Sequence, residues 1–368
     1  FYVLDNYAAL RSIKPDLLAA DAHLFEVKDA LLYIQSQPLG GRGKSFQGES
    51  FYTAENPPFG ATFTYYLKEA LKTRKQQRQE AEKEAEKKKE AAALPSRDDL
   101  RAEEEEEPPG IVLTVADSAG RVVRRLNGPM SAGINRFTWD LRYPASTLPA
   151  QRPVDPVEEI FNEGGPSGPL VMPGRFTITL ARKVNGVVTP LGRPQQFSVI
   201  IEGTESLPAA DRAALVEFQQ RVARLQRAVS GALETANSLK TRLGAIKRAL
   251  QETPAADPKL TTEAIGLDRR TNEILRALRG DNLLRSRNEN VPTSINERVS
   301  SIVGEQRMST SRPTQTQVDD YNAAAQEFQQ ALGSLRSLIE GDLAKLEKAM
   351  ESAGAPWTPG RIPEWKDN

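Results

Sequence analysis

The spacing of apolar residues changes once along this chain, near residue 207, and that change constrains the fold more than any other feature. In the region 110–201, apolar residues fall in short runs of alternating polarity, which is typical of half-buried β-strands. From Leu215 to Leu250 they recur every three or four residues, which is typical of an amphipathic helix. The sequence therefore predicts an α+β multidomain chain, in which an antiparallel β domain is followed by a bundle of long antiparallel helices.

The strands predicted between residues 55 and 205 are short and separated by turns, which favours an Ig-like antiparallel β-sandwich. Because strand side chains alternate between the faces of a sheet, Phe137, Trp139 and Leu141 share one face. Phe176 and Ile178 share a face of a later strand for the same reason. We expect all five side chains to lie in the core of the β domain.

The helical domain is expected over residues 206–353, with helices long enough to need partners. Its first helix is expected to be ~50 Å long and to end at Thr253–Pro254. A second spans about 261–285, a short one follows Pro292, and the last spans about 315–352. We expect these helices to pack within one chain, with homodimerisation as the alternative. Residues 354–368 contain three prolines and two tryptophans and are expected to form an extended tail.

A charged insertion at residues 68–109 interrupts the β domain. Between Lys72 and Glu90 it consists of strong helix formers without an apolar stripe, so a helix there has no face to bury. We interpret it as a solvated helix or a disordered excursion, tolerated because lengthening a loop costs little entropy. The functional alternative is a charged docking arm.

The composition excludes several kinds of chemistry. The chain has 368 residues, no cysteine and a single histidine, His23, which leaves no basis for thiolate catalysis or cysteine-based zinc sites. Its 49 basic and 49 acidic residues give a net charge of zero, which disfavours nucleic acid and anionic membranes as partners. No apolar run approaches the roughly 20 residues of a transmembrane helix.

Three polar groups are candidate sites, and each has a simpler structural interpretation. The acidic residues of the loop 155–163 lack the spacing of a calcium site or a glycosidase pair. The run Gly40–Ser45 lacks the opening glycine of a phosphate loop. Asp140 and Arg142 are expected to form an ion pair that anchors the following loop. The sequence therefore predicts no catalytic residue, no metal site and no cofactor.

The β region carries the run Ala132-Gly-Ile-Asn-Arg-Phe-Thr-Trp-Asp140, which follows residues 122–126 and precedes Met172–Ile178. These segments resemble the Ig-like domain of flagellar hook-capping proteins. The whole chain resembles the C-terminal region of bacterial secreted Asp-box (BNR), sortilin-like β-propeller proteins, which are often labelled glycosyl hydrolase-like. The resemblance implies an extracytoplasmic location, in the periplasm, at the cell surface or outside the cell.

The resemblance also assigns the ends of the chain. Phe1–Asp5 corresponds to a strand that finishes the last propeller blade, which makes residues 1–54 a propeller remnant and connector. Pro356–Arg361 corresponds to the closing segment of the helical region. The expected partner is a propeller, either a missing N-terminal region of the same polypeptide or a separate chain, and Phe1 is expected to be a truncated or processed terminus.

Three functions are compatible with these features. The first is a non-catalytic structural and interaction module at the C-terminus of a secreted or cell-envelope propeller protein. The second is an accessory region of a glycoside-active enzyme whose active site lies in the missing propeller. The third is a carbohydrate-binding module that holds a polysaccharide on exposed aromatic rings, for which Tyr65, Tyr66 and Trp357 are the candidates.

Overall fold

The chain is a mixed α+β protein that divides into two compact units. The computed structural model describes residues 6–35, 48, 50, 52, 54, 56–90, 94–146, 167–202, 209–307, 309 and 311–365. The β unit comprises Phe1–Pro144 and Leu170–Ser206, and the helical unit comprises Ala145–Pro169 and Leu207–Asn368. The predicted strand Phe1–Asp5, the run Gly40–Ser45 and the acidic loop 155–163 lie outside the described residues.

Over the residues that the structure describes, the chain begins with two short helices, α1 (Ala8–Arg11) and α2 (Pro15–Ala19), and contains ten strands. The strands are β1 (Ala22–Leu24), β2 (Ala30–Leu32), β3 (Ala61–Leu67), β4 (Gly110–Asp117), β5 (Val122–Gly128), β6 (Gly133–Trp139), β7 (Arg142–Pro144), β8 (Ser167–Leu170), β9 (Gly174–Val184) and β10 (Val187–Ile201).

The strands form a three-stranded sheet in the order β1-β3-β6, a five-stranded sheet in the order β2-β10-β9-β4-β5, and a β7-β8 pair. Strand β2 runs parallel to β10, and the other pairs of the two larger sheets are antiparallel. The sheet curls as a half-barrel. Residues 22–24 and 30–32 are therefore strands of the sheets, within the region 1–54 that was expected to be a propeller remnant and connector.

Side chains from both larger sheets meet in one hydrophobic core. Trp139 of β6 is fully buried, and its ring lies 5.7 Å from Phe176 of β9 and 6.4 Å from Phe197 of β10 between ring centroids. The rings of Phe176 and Phe197 are stacked at 5.9 Å. This aromatic cluster joins strands that are distant in sequence, so it ties the two sheets to one another.

The five predicted core residues are all buried or packed against the core, but the reason given for Leu141 is wrong. Trp139, Phe176 and Ile178 are buried, and Phe137 is half-buried against the same cluster. Leu141 is also fully buried, yet strand β6 ends at Trp139. Leu141 lies in the following turn with a φ of 56°, so the turn and not strand alternation points its side chain inward.

The run 132–140 holds the backbone on both sides of β6. The Asn135 side-chain amide donates hydrogen bonds to the carbonyl oxygens of Ser131 (2.7 Å) and Gly133 (3.2 Å), and Gly133 has a φ of 91°. The indole N–H of Trp139 donates to the carbonyl oxygen of Arg142 at 3.0 Å. These residues stabilise turns and the core, so this run has a structural role in the β unit.

In the turn after β6, the Asp140 carboxylate contacts the backbone of Arg142, whereas an ion pair between the two side chains was expected. The Asp140 carboxylate accepts a hydrogen bond from the backbone N–H of Arg142 at 3.2 Å. A short acidic side chain that binds a backbone N–H two residues later stabilises a turn. Asp140 therefore fixes the turn through the backbone of Arg142.

The insertion forms two helices, α3 (Arg74–Lys88) and α4 (Arg97–Glu104). We call residues 72–107, which include both helices, the charged arm. Neither helix has a buried residue. Thr73 and Ser96 begin the two helices with reciprocal side-chain and backbone hydrogen bonds, the capping-box arrangement. The predicted solvated helix is confirmed over Arg74–Lys88.

The helical unit contains α5 (Ala209–Gln251), α6 (Pro258–Arg279), α7 (Asn282–Arg285), α8 (Ile295–Arg307), α9 (Gln315–Ser337), a π turn (Leu338–Leu343) and α10 (Ala344–Ser352). With 43 residues, α5 is about 65 Å long at about 1.5 Å per residue. Its apolar stripe is buried as predicted, at Phe218, Val222, Leu225, Val229, Ala236, Leu239, Leu243, Ile246 and Leu250.

Two helix boundaries differ from the prediction. The second helix ends at Arg279 and not near 285, because Gly280 adopts a φ of 85° that a helix cannot continue through. The last helix is interrupted by the π turn at Leu338–Leu343. Among the helices that the structure describes, none is long and apolar enough to cross a membrane.

Candidate functional site

Acid–base and metal chemistry have few candidates in the described part of the chain. His23, the single histidine, lies on β1 with its ring 4.9 Å from that of Phe25 in an edge-to-face contact. Across the residues that the structure describes, no group of three or more His, Asp or Glu side chains is placed to hold a metal ion.

The structure places the candidate aromatic residue Tyr65 in the core and not at a ligand-facing surface. Its side chain is fully buried, and its hydroxyl donates a hydrogen bond to the carbonyl oxygen of Pro129 at 2.5 Å. Burial raises the pKa of the Tyr65 hydroxyl. A Cβ atom at Gly128 would lie 2.4 Å from that hydroxyl, so the glycine makes room for it. As a ligand-facing residue, Tyr65 was predicted wrongly.

Tyr66 follows Tyr65 on β3 and points to the opposite face of the sheet. It is half-buried, and its hydroxyl donates a hydrogen bond to the carbonyl oxygen of Leu18 at 3.2 Å. Part of the ring remains exposed, but its hydroxyl is already bound within the β unit.

The largest exposed aromatic side chains of the helical unit lie after α10. We call residues 356–365 the C-terminal segment. Trp357, Ile362 and Trp365 on this segment have exposed fractions of 41%, 88% and 81%. Pro359 and Pro363 stand between them and limit the backbone freedom of the segment. Large exposed apolar side chains concentrated in one segment are typical of interaction sites.

Arg242 of α5 holds this segment on the helical unit. Its guanidinium binds the Glu347 carboxylate through two hydrogen bonds of 2.7 and 2.6 Å, and it donates a third to the carbonyl oxygen of Gly360 at 3.2 Å. Gly360 has a φ of 88°, and a Cβ atom there would lie 2.9 Å from the guanidinium carbon. A glycine is therefore required where the segment crosses Arg242.

The first half of the segment is a fixed turn. The Arg361 guanidinium lies over the Trp357 ring, 4.5 Å from its centroid, in a cation–π contact. The backbone N–H of Arg361 donates to the carbonyl oxygen of Thr358 at 3.2 Å. Within the described residues, the buried Thr358 hydroxyl and the buried Arg361 Nη2 have no hydrogen-bond partner. The exposed half, from Ile362 to Trp365, follows this turn.

A cleft of about 470 Å³ opens near the start of α5, and we call it the N-terminal cleft. Its walls come from α5 and from the start of α9, and they consist of Ala214, Glu217, Phe218, Arg221, Arg312, Pro313, Gln315 and Val318. The Arg221 guanidinium lies 4.8 Å from the ring centroid of Tyr321. Arg312 has a side chain that is 72% exposed, with its Nη1 4.0 Å from an oxygen of Asp211.

A second cleft of about 390 Å³ lies beside the π turn, between α6 and the last helix. Arg270 and Asp342 face each other across it with a distance of 2.5 Å between nitrogen and oxygen. Glu263 and Lys345 complete its charged lining. Its charges are balanced, and its main ion pair is already formed, so it offers less to a ligand than the N-terminal cleft.

Trp357 was predicted from the sequence, whereas the N-terminal cleft and Ile362 were not. Arg221 lies on α5 and Arg312 lies just before α9, far away in sequence, so no local pattern indicates that they share a cleft. A local signal for Ile362 exists, because an isolated isoleucine between Pro359 and Pro363 cannot join a helical stripe. Comparisons of the chain with protein-family models, with curated proteins and with solved structures found no match.

Proposed function

We propose that this chain is a non-catalytic structural and interaction module from the C-terminal region of a secreted or cell-envelope propeller protein. The observation that carries the proposal is the C-terminal segment. Arg242 and Gly360 fix its first half on the helical unit, and its second half exposes Ile362 and Trp365 almost fully. A segment anchored at one end with exposed apolar side chains at the other is suited to binding another protein.

The architecture supports a structural role for both units. In the β unit, side chains from two sheets surround Trp139, an arrangement in keeping with the proposed Ig-like sandwich. In the helical unit, α5 packs against α6, α8 and α9 through one continuous core, in keeping with an antiparallel bundle that acts as a spacer. The propeller partner and the extracytoplasmic location depend on the sequence resemblance described above.

The first experiment separates this proposal from a catalytic or sugar-binding function. The purified chain is incubated with a panel of chromogenic glycosides and, separately, with cellulose, chitin and peptidoglycan. We expect no hydrolysis, since the proposed module is non-catalytic. We expect no retention on any polysaccharide, because one face of the Trp357 ring is covered by Arg361. Hydrolysis by the wild-type chain would contradict the proposal.

Retention on a polysaccharide would contradict it in favour of carbohydrate binding. The variant Trp357→Ala and a control variant, Tyr7→Ala, show whether the C-terminal segment causes any retention. Tyr7 is a suitable control because it is an exposed aromatic residue, 54% accessible, in the β unit. Loss of retention in Trp357→Ala alone would assign sugar binding to the segment.

A second experiment tests the propeller context. The native polypeptide is purified from its source and analysed by intact-mass and N-terminal mass spectrometry. We expect a chain far heavier than 40.5 kDa with Asp-box repeats before Phe1, or a stable complex with a separate propeller chain. A polypeptide of 40.5 kDa without such a partner would overturn this part of the proposal.

A further inference from the structure

We propose that the C-terminal segment of one copy of this chain binds in the N-terminal cleft of a second copy, so that two chains form a reciprocal dimer. This inference rests on the proposed function, because it names a partner for the segment that carries it.

The exposed half of the segment combines two apolar side chains with one carboxylate. Ile362 and Trp365 have exposed fractions of 88% and 81%, and Glu364 lies beside Trp365. Pro363 restricts the backbone between the apolar residues, so less conformational entropy is lost on binding. The segment therefore suits a cleft that offers both apolar surface and positive charge.

The N-terminal cleft offers that combination. Phe218, Pro313 and Val318 provide its apolar surface, while Arg221 and Arg312 provide positive charge. Glu217 is the one carboxylate among its lining residues, so the lining carries a net positive charge. Arg312 is 72% exposed and lies at the 4.0 Å limit of an ion pair with Asp211, which leaves its donors available for Glu364.

The segment cannot reach the cleft of its own chain. Gly360 is held at Arg242, and about 32 Å of helix separates Arg242 from Arg221 at about 1.5 Å per residue. The four residues from Gly360 to Glu364 span at most about 14 Å when fully extended. The contact therefore forms between two chains.

Two such contacts are compatible with one two-fold axis. The segment and the cleft lie at separate points along α5, so two antiparallel copies of α5 place each segment beside the other copy's cleft. An interface that uses the same two patches on both chains closes at the dimer.

The test is sedimentation equilibrium of the full chain from 1 to 100 µM at low salt. We expect a mass of twice 40.5 kDa at the upper concentrations. Reversing one charge, in Arg312→Glu or in Glu364→Arg, places like charges at the contact and should weaken dimerisation by about tenfold or more. Combining both reversals restores an opposite pair and should recover most of the affinity. Trp365→Ala should also weaken the dimer by about tenfold or more.

Matched controls are Arg287→Glu and Glu289→Arg, which reverse exposed charges near α7 and outside the cleft. Circular dichroism confirms that each variant keeps the helical content of the wild type. A wild-type mass of one chain at 100 µM would overturn the proposal. A dimer that is equally stable in Arg312→Glu, Glu364→Arg and the controls would overturn the assigned contact. Either result leaves the tests with glycosides, polysaccharides and native mass unaffected.

Discussion

Helices α3 and α5 both consist mainly of residues that favour helix, yet their surroundings are opposite. Glutamate, lysine and glutamine predominate in α3, whereas alanine, leucine and arginine predominate in α5, and all of these residues favour helix by intrinsic propensity. Yet α3 has no buried residue, whereas α5 contributes an unbroken stripe to the core of the helical unit. The comparison shows that propensity is enough to specify a helix, while the spacing of apolar residues decides whether the rest of the molecule depends on it.

In the charged arm, ion pairs and helix caps provide the stabilisation that buried apolar side chains provide in α5. Arg78 binds the Glu103 carboxylate through two hydrogen bonds of 2.6 and 2.9 Å and binds Glu82 at 2.6 Å, which joins α3 to α4. The hydrogen bonds between Arg78 and Glu103 raise the pKa of Arg78 and lower the pKa of Glu103. The charged arm is therefore stabilised by surface contacts between its own two helices, α3 and α4.

The largest effect is expected from a cavity in α5. Leu243 is fully buried in the core of the helical unit, and Leu243→Ala removes apolar contacts and leaves a cavity. We expect a loss of about 2–5 kcal/mol in the free energy of unfolding of the helical unit. Urea denaturation followed by circular dichroism measures it. The control is Leu100→Ala in α4, where the leucine is 46% exposed and the expected change is within about 0.5 kcal/mol. Equal losses in both variants would mean that the arm is packed as firmly as α5.

A smaller and local effect is expected from Arg78→Ala. This variant removes the bidentate contact between α3 and α4, so the backbone amides of α4 should lose protection from hydrogen exchange. The amides of α5 should keep theirs. The matched control is Arg101→Ala, because Arg101 is on α4 with a side chain that is 74% exposed and has a single 3.5 Å contact to Asp98. Loss of protection in the control alone would refute the role given to Arg78.

Acid should weaken the contact between α3 and α4, as Arg78→Ala does, and leave α5 unaffected. Folding lowers the pKa of Glu103 below its ordinary value of 4.5, mainly through the hydrogen bond from Arg78. The contribution of this contact is therefore complete above that ordinary value and is lost as the pH falls through the lowered pKa. We expect hydrogen-exchange protection of α4 to fall over this acidic range in the wild type. In Arg78→Ala the pH dependence should be weaker, and what remains belongs to Asp99, whose pKa is lowered by its hydrogen bonds with Ser96. A pH dependence equal to that of the wild type would contradict the role given to Glu103.

The smallest effect is expected from removing the arm. Deleting residues 73–106 and joining the ends keeps Leu71, which packs against the β core and whose N–H donates to the carbonyl oxygen of Met130 at 3.1 Å. Because the deleted helices bury no residue, the melting temperature of the β unit should stay within about 3 °C of the wild type. A fall of more than about 10 °C would show that the arm packs on the β unit.

Patterns that repeat over many residues were predicted well from the sequence. The stripe of α5 repeats over the whole helix, so its existence followed from spacing, and its end near Thr253 followed from Pro254. Trp139 was placed in the core by the alternation of a single strand, and the structure confirms it. Such signals are redundant, because several residues report the same face.

Features that depend on one residue or on distant residues were predicted poorly. Tyr65 was offered as an exposed aromatic residue, although it alternates in phase with the buried Phe63 and Leu67 on β3. That signal was present in the sequence and was overlooked. The N-terminal cleft gave no such signal, because Arg221 and Arg312 come together only through the packing of α5 and α9. Sequence patterns report the faces of single elements, and clefts arise between elements.

The π turn at Leu338–Leu343 also bears on how related sequences would align. The buried leucines 338 and 343 are five residues apart, and a regular helix at about 100° per residue would leave them about 140° out of alignment. The wider turn, with hydrogen bonds five residues apart, lets both face the core. A relative lacking one residue here would form an uninterrupted helix with the same core contacts. In an alignment of relatives, a single-residue gap is therefore expected at this turn. The loss of one residue elsewhere along α9 or α10 would rotate every later side chain away from the core.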